Sequence, residues 1–167
     1  RIRDALQKTR ISDLRERAIS TLSGGQKQRV AISAVLSMRP KVLLLDDPTS
    51  ELDPVGTQEV MTALRELNRE LGITVLMVSQ DVERLVENAD RILLLSEGRL
   101  ILDGSPREVC LQYDVVERAG VRVPQVTQFM ISLLSRLNRS PQLETIPLTV
   151  KEAASMVRRI LQGGGVA

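Results

Sequence analysis

The 167-residue chain reads as an α/β protein with a mostly parallel sheet, helices on both faces of that sheet, and a helical extension at its C-terminal end. Three observations carry this reading. Short continuous apolar runs at 42–46 and 74–78 have the length and composition of strands covered on both faces. They alternate with stripes at helical spacing, such as Val60, Leu64, Leu67 and Leu71. After Gly104 the strand-like runs stop, and capped helical stretches take over.

Taken in order, 2–14 is a charged, Arg-rich helical stretch whose polar face reads as solvated. Ser23 precedes Gly24-Gly25 and a helix to about Met38, with Val30, Ala34 and Met38 on one face. Asp53-Pro54 opens the next helix as cap and first-turn residue, and Gly72 ends it. A second strand at 74–78, a short helix at 82–87 and a third strand at 91–96 follow. Glu97-Gly98 turns that strand back into 99–103 as a hairpin. Ser105-Pro106-Arg107-Glu108 is a capping box with Pro in the first turn. Beyond it lie an amphipathic helix with Val126, Phe129/Met130, Leu133 and Leu137, a linker at 138–147, and a second capping box at 149–152. That box opens a helix with Val150, Ala153/Ala154, Val157 and Leu161 inward. The Gly163-Gly164-Gly165 run is the one low-complexity tract.

Composition removes several function classes. Twenty-three basic and 21 acidic side chains are interspersed and leave a net charge of +2, and aromatics are 1%, only Tyr113 and Phe129. Neither a basic footprint nor base stacking is available for nucleic acid. The absence of His removes imidazole from metal ligation and proton transfer, and the lone Cys110 excludes an internal disulfide. No apolar stretch approaches the ~20 residues of a membrane span.

Two constellations carry chemistry. In Leu22-Ser23-Gly24-Gly25-Gln26, paired glycines at a helix N-terminus let backbone N–H groups approach an anion, which the helix dipole and the Ser23 hydroxyl also favour. Lys27 and Arg29 place positive charge in the same turns. By itself the stretch is also ordinary loop-to-helix punctuation. In Asp46-Asp47-Pro48, two adjacent carboxylates end an apolar strand, where ligands of open α/β sheets bind. There one Asp can hold Mg²⁺ and its neighbour can polarise an attacking water. Taken alone, Asp-Asp-Pro is equally a strand-ending turn.

Together with their spacing, LSGGQKQRVAIS (22–33), VLLLDDPTSELDP (42–54), VLMVSQD (75–81) and ADRILLLSEGRLILDGSP (89–106) resemble the ATP-binding cassette ATPases: signature motif, Walker B strand, D-loop and switch loop, in the family's order. The resemblance covers residues 1–110 and implies a P-loop NTPase-like sheet there, with 111–167 a separate helical extension. Asp53-Pro54-Val55-Gly56 and the segment at 120–127 are similar to the energy-coupling-factor importers of metal ions and vitamins.

The resemblance implies a role for each matching residue. Ser23, Gly24 and Gly25 would contact the γ-phosphate of ATP held by a second ATPase subunit, with Gln26 orienting that contact. Asp46 would hold Mg²⁺ through water. Asp53 would reach across the pair. Asp47 stands where the family has a catalytic Glu, and Gln80 where it has a His at the γ-phosphate. The implied assembly is a homo- or heterodimer of ATPases pressing on a transmembrane transporter subunit at the cytoplasmic face of the membrane, with ATP and Mg²⁺ as cofactors and no nucleic acid. Two other classes are compatible with the motifs: a soluble ATPase of DNA repair or the ribosome, and a non-hydrolysing partner subunit.

No G-x-x-x-x-G-K-[ST] occurs in the 167 residues, nor does the glutamine loop that precedes the signature in the family. The chain therefore reads as part of a longer protein, and by itself it is expected to hydrolyse no ATP. In the family the strand before the phosphate loop lies between the equivalents of 74–78 and 91–96. Without it these strands are expected to leave the chain marginally folded, prone to aggregate, or closed by pairing directly with each other.

Overall fold

A computed structural model of the chain describes residues 1–50, 52–143 and 146–162, and these form two compact units, 1–80 and 81–162. Unit one runs α1 (Ile2–Lys8), α2 (Gly24–Leu36), β1 (Val42–Asp46), α3 (Pro54–Leu71) and β2 (Thr74–Val78), with two 3₁₀ turns between α1 and α2. Unit two runs α4 (Val82–Asn88), β3 (Ile92–Ser96), β4 (Arg99–Gly104), α5 (Pro106–Leu111), α6 (Tyr113–Arg118), α7 (Gln125–Arg136) and α8 (Val150–Leu161). The expected strands and helices are present, except that the helical stretch at 2–14 breaks after Lys8 and resumes only as a 3₁₀ turn at Ser12–Leu14, and the mixed α/β class is that of the sequence.

In unit one, β1 and β2 pair in parallel, Val42 opposite Thr74 through Asp46 opposite Val78, with α3 as the crossover. Asp53 caps α3 through its carboxylate, and Gly72 ends it in the left-handed region at φ 63°. Val60, Met61, Leu64 and Leu67 of α3, Ile32 and Leu36 of α2 and Ala5 of α1 bury Leu43, with Leu45, Val75 and Met77 packed against them. Each fully buried side chain of this kind is worth roughly 1.5–3 kcal/mol.

The opposite face of the pair differs from the sequence expectation. Leu44 is 67% and Val78 57% exposed, and Val42 and Leu76 are exposed beside them. The helices that pack on this pair do so on the Leu43 face, so within the described residues the apolar runs are covered on one side only. The inward stripe of α2 also differs. Gly25, Arg29, Ile32, Ser33 and Leu36 are buried, whereas Ala34 and Met38 face out. Apolarity alone misses two inward positions because they are polar but partnered: Arg29 pairs with Glu59, and the Ser33 hydroxyl meets that of Thr9.

In unit two, β3 and β4 form the expected antiparallel hairpin, with Glu97 and Gly98 both at positive φ, a bulge at Leu94/Leu95, and Arg91 bidentate to Asp103 at 2.6 Å. The guanidinium holds the Asp103 carboxyl below its ordinary value. Strands β2 and β3 belong to separate two-stranded sheets, so the direct pairing admitted above does not occur.

One core joins Val86, Leu94, Val109, Cys110, Val116, Val123 and Leu148. The division at 110/111 expected from the resemblance falls inside this core, whereas compactness divides the chain after Gln80. Burial pushes the Cys110 thiol up to about 11. The expected linker at 138–147 ends as buried structure: Ile146 is fully buried, its carbonyl accepts from Arg107, and the Pro147 carbonyl accepts from Thr127 Oγ1 at 2.8 Å. Of the box at 149–152, half forms. Thr149 accepts from the Glu152 N–H, but the Glu152 carboxylate turns to the Leu148 N–H and to Arg107. Ala153 and Met156 of α8 and Met130, Ile131 and Leu134 of α7 face inward, whereas Phe129, Val150 and Leu161 are exposed. The Gly163-Gly164-Gly165 run lies outside the described residues.

Candidate functional site

All eight residues singled out by the sequence lie in unit one, in two groups. The first sits at the C-terminal end of the parallel pair. The Asp47 N–H donates to the Val78 carbonyl at 2.8 Å, which carries the ladder one step past the strands and draws Ser79-Gln80 alongside Asp46-Asp47. Ser79 Oγ donates to Asp47 Oδ1 at 3.3 Å. Asp47 has φ 41°, a left-handed conformation that Asp tolerates better than most residues. Its carbonyl accepts from the Ser50 hydroxyl at 3.1 Å, fixing the turn. The Asp46 carboxylate is exposed, and no hydrogen bond or ion pair engages it among the described residues. Gln80 is exposed on the neighbouring segment. The sequence reading gave Ser79 no role, although its direct bond to Asp47 makes it part of this group.

The second group is built at two helix N-termini. Ser23 caps α2: its hydroxyl accepts from the Gln26 N–H at 3.3 Å, and Gln26 Oε1 accepts from the Ser23 N–H at 3.0 Å. Gln26 thus holds the turn's shape by bonding back onto it. Ser23 and Gly24 are exposed and Gly25 is buried. Asp53 caps α3, accepting from the Gly56 N–H at 2.7 Å. Its carboxylate has a local structural partner, a role the resemblance does not imply.

No group of three or more acidic or Cys side chains that could cage a metal exists among the described residues. Asp46 and Asp47 nonetheless fit Mg²⁺, which is commonly held by one or two carboxylates, with waters and phosphate oxygens completing the shell. The free Asp46 carboxylate beside a Ser79-tethered Asp47 offers that donor set.

A parallel strand pair with its helical crossover, a strand ending in carboxylates and a capped, glycine-opened helix fit the P-loop NTPase-like α/β fold. Residues 1–50 match the ABC transporter family. An ABC transporter ATP-binding protein of Pyrococcus abyssi is 48% identical over 124 residues, covering 74% of this chain and 44% of that relative. An energy-coupling factor transporter ATP-binding protein of Clostridium perfringens is 42% identical over 130 residues, 78% of this chain and 46% of that relative. Among solved structures, CbiO1 of Clostridium perfringens, part of the ABC transporter complex CbiONQ, superposes with a TM-score of 0.64 at 41% identity, over 77% of this chain and 51% of that one. The chain belongs to the ABC transporter family and is similar, within it, to the ATP-binding proteins of energy-coupling factor transporters. It spans about half the length of the relatives it matches.

Proposed function

We propose that this chain supplies the signature turn and the magnesium-side carboxylates of an importer ATPase, in which closure of two ATPase subunits drives transport of a metal ion or vitamin. The observation that supports it most is the Asp46–Asp47 pair with Ser79-Gln80 drawn beside it by the parallel ladder, in a chain whose α2 presents a capped, exposed Ser23-Gly24 turn. On this reading Ser23, Gly24 and Gly25 form the anion-facing turn offered to ATP on a second ATPase subunit, identical or different, and Gln26 keeps that turn in shape. Asp46 would hold Mg²⁺ through water, which would supply charge neutralisation at the phosphates. Asp47 orients and polarises the attacking water, Gln80 donates a hydrogen bond towards the γ-phosphate, and Asp53 reaches to the partner ATPase. The partners are that second subunit and a transmembrane transporter subunit, which places the protein at the cytoplasmic face of the membrane. Residues 1–110 belong to the ATPase domain and 111–167 to its helical extension.

A non-hydrolysing partner subunit is the second reading, favoured by Asp47 and Gln80 standing where the family has Glu and His. One experiment separates the two. In a full chain that joins these residues to a phosphate loop, Mg²⁺-dependent ATP hydrolysis is expected, and Asp46→Ala should lower it by about a hundredfold or more at an unchanged thermal midpoint. Nucleotide binding without turnover would favour the partner-subunit reading; turnover indifferent to Asp46 would overturn the first. The 167 residues alone, which contain no G-x-x-x-x-G-K-[ST], should show no turnover above a buffer blank.

A further inference from the structure

The two glycines of the signature turn face different surroundings. Gly24 is exposed, whereas Gly25 is buried, and a Cβ built on it would stand 3.1 Å from the Cα and 3.7 Å from the carbonyl carbon of Gly56. The neighbour is backbone, which cannot swing aside as a side chain can. A Cβ on Gly56 would in turn meet Asp53 Oδ1 at 2.8 Å and the Cα of Gly25 at 3.6 Å. Helices α2 and α3 therefore cross backbone to backbone within their first turns.

One turn further along each helix, on the same side, Arg29 Nη2 donates to Glu59 Oε2 at 2.7 Å, with Arg29 only 9% exposed. Residues 25 and 29 are one turn apart on α2, and 56 and 59 on α3, so the close approach and the ion pair form one seam. The two buried side-chain polar atoms without a partner among the described residues, Arg29 Nε and Thr57 Oγ1, also lie on these two helices. Leaving such atoms unpaired is costly, and here it accompanies unusually tight helix packing.

We propose that Gly25 and Arg29 of α2 and Gly56 and Glu59 of α3 form a joint that makes the Ser23–Gln26 turn and the Asp53 turn move as a single piece. Gly25 serves the helix crossing behind the turn it helps to form, and Gly24 is the glycine on the open side. Arg29 and Glu59 are positioning residues: neither needs to touch nucleotide, and each acts through the turn it holds. The Asp53 carboxylate closes the chain of contacts, since the N–H it accepts from belongs to the glycine against which Gly25 rests. This inference rests on the functional reading above only in assigning those two turns to the nucleotide-bearing interface; the joint itself is a property of unit one.

The test therefore has two arms on a full chain carrying these residues. Without nucleotide, hydrogen exchange is followed in peptides covering 23–33 and 53–64. Glu59→Gln, a change at a half-exposed position that leaves the fold in place, should speed exchange about threefold or more in both peptides together, because the buried guanidinium loses its counter-charge. Gly25→Ala should do the same more strongly, and Gly24→Ala should leave both peptides unchanged. Acceleration confined to the helix that carries the substitution, or none for Glu59→Gln, would overturn the joint, and Glu59→Gln decides the matter if Gly25→Ala fails to fold. With Mg·ATP, the series Glu59→Asp, Glu59→Gln, Glu59→Ala should lower kcat progressively, reaching about fivefold or more, when assayed well below each variant's thermal midpoint and with KM within about twofold. Coupled exchange with a flat kcat series would keep the joint and remove its bearing on turnover. A wild-type chain without turnover would count against the functional reading alone, with the exchange arm still deciding the joint.

Discussion

At the scale of single residues, the chemistry-bearing positions were legible where the side chain itself carries the message, and hidden where the message lies in what a residue packs against. Asp46 and Asp47 announce themselves as paired carboxylates at a strand end, and the structure puts them at the C-terminal rim of a parallel pair. Ser23 and Asp53 announce themselves as caps, and both are. Gly25 reads as permission for an anion to approach, yet its missing Cβ makes room for Gly56, a partner 31 positions away that no local pattern specifies. Arg29 reads as positive charge set near an anion-facing turn, yet it is buried, and Glu59 makes that costly burial tolerable. The same scale holds the sharpest prediction about rate. Asp47 is tied by Ser79 and held one methylene short of a glutamate, and Gln80 keeps a donor but has no nitrogen that titrates near neutrality. In a full-length chain, Asp47→Glu with Gln80→His is expected to raise kcat about tenfold or more, because a well-placed general base is worth about 10²–10⁴-fold. A pre-steady-state measurement showing an unchanged chemical step would refute it.

At the scale of elements, boundaries followed local rules closely. Gly72 ends α3, Glu97-Gly98 turns the hairpin, and Ser105 with Glu108 starts α5, each because cap and turn chemistry depends on a few adjacent residues. What the sequence misassigned was facing. On α2, Ala34 and Met38 face out while Ser33 is buried. On α7 and α8, apolarity correctly places Val126, Met130, Leu133, Ala153 and Val157 at their core but also picks the exposed Phe129 and Leu161 and passes over the buried Thr127 and Met156. Thr127 is buried because its hydroxyl finds the Pro147 carbonyl, a contact between segments that periodicity cannot see. The α5 cap yields a pH prediction. The Ser105 backbone N–H and hydroxyl hold the Glu108 carboxyl below its ordinary value of 4.5. A lowered carboxylate contributes stability that is fully present above the unfolded value and fades as pH falls through the folded one. The stability gap between the wild-type chain and Glu108→Gln, read by urea denaturation, should therefore be open at neutral pH and close as pH falls below 4.5 and on through the lowered folded value. A gap that persists unchanged in acid would show that the carboxylate's charge is not what holds the cap.

At the scale of the whole molecule, the decisive feature is that each apolar strand is covered on one side only within the described residues. The sequence predicted strands buried on both faces because continuous Val/Leu runs make sense only there. The structure keeps the runs and buries Leu43 and Leu94, while Leu44, Leu76 and Val78 of the parallel pair and Leu93 and Leu95 of the hairpin remain exposed. Two-stranded sheets are marginal by themselves, and a row of exposed branched side chains beside unpaired backbone edges is a template for association. The strands do not relieve this by joining each other, since each pairs only within its own hairpin or crossover. The 167-residue chain is therefore expected to sediment as oligomers at micromolar concentration and to exchange the outward amides of β2 and β3 rapidly when dilute. The cause is testable by facing. Leu44→Lys and Leu76→Lys place a charge on the exposed side and should shift sedimentation towards monomer while altering stability by no more than about 0.5 kcal/mol. Leu43→Lys, one residue away but only 3% exposed, should instead unfold the first unit. A chain that is monomeric from the outset, or one whose association ignores Leu44 and Leu76, would mean that the uncovered face is not what drives these molecules together.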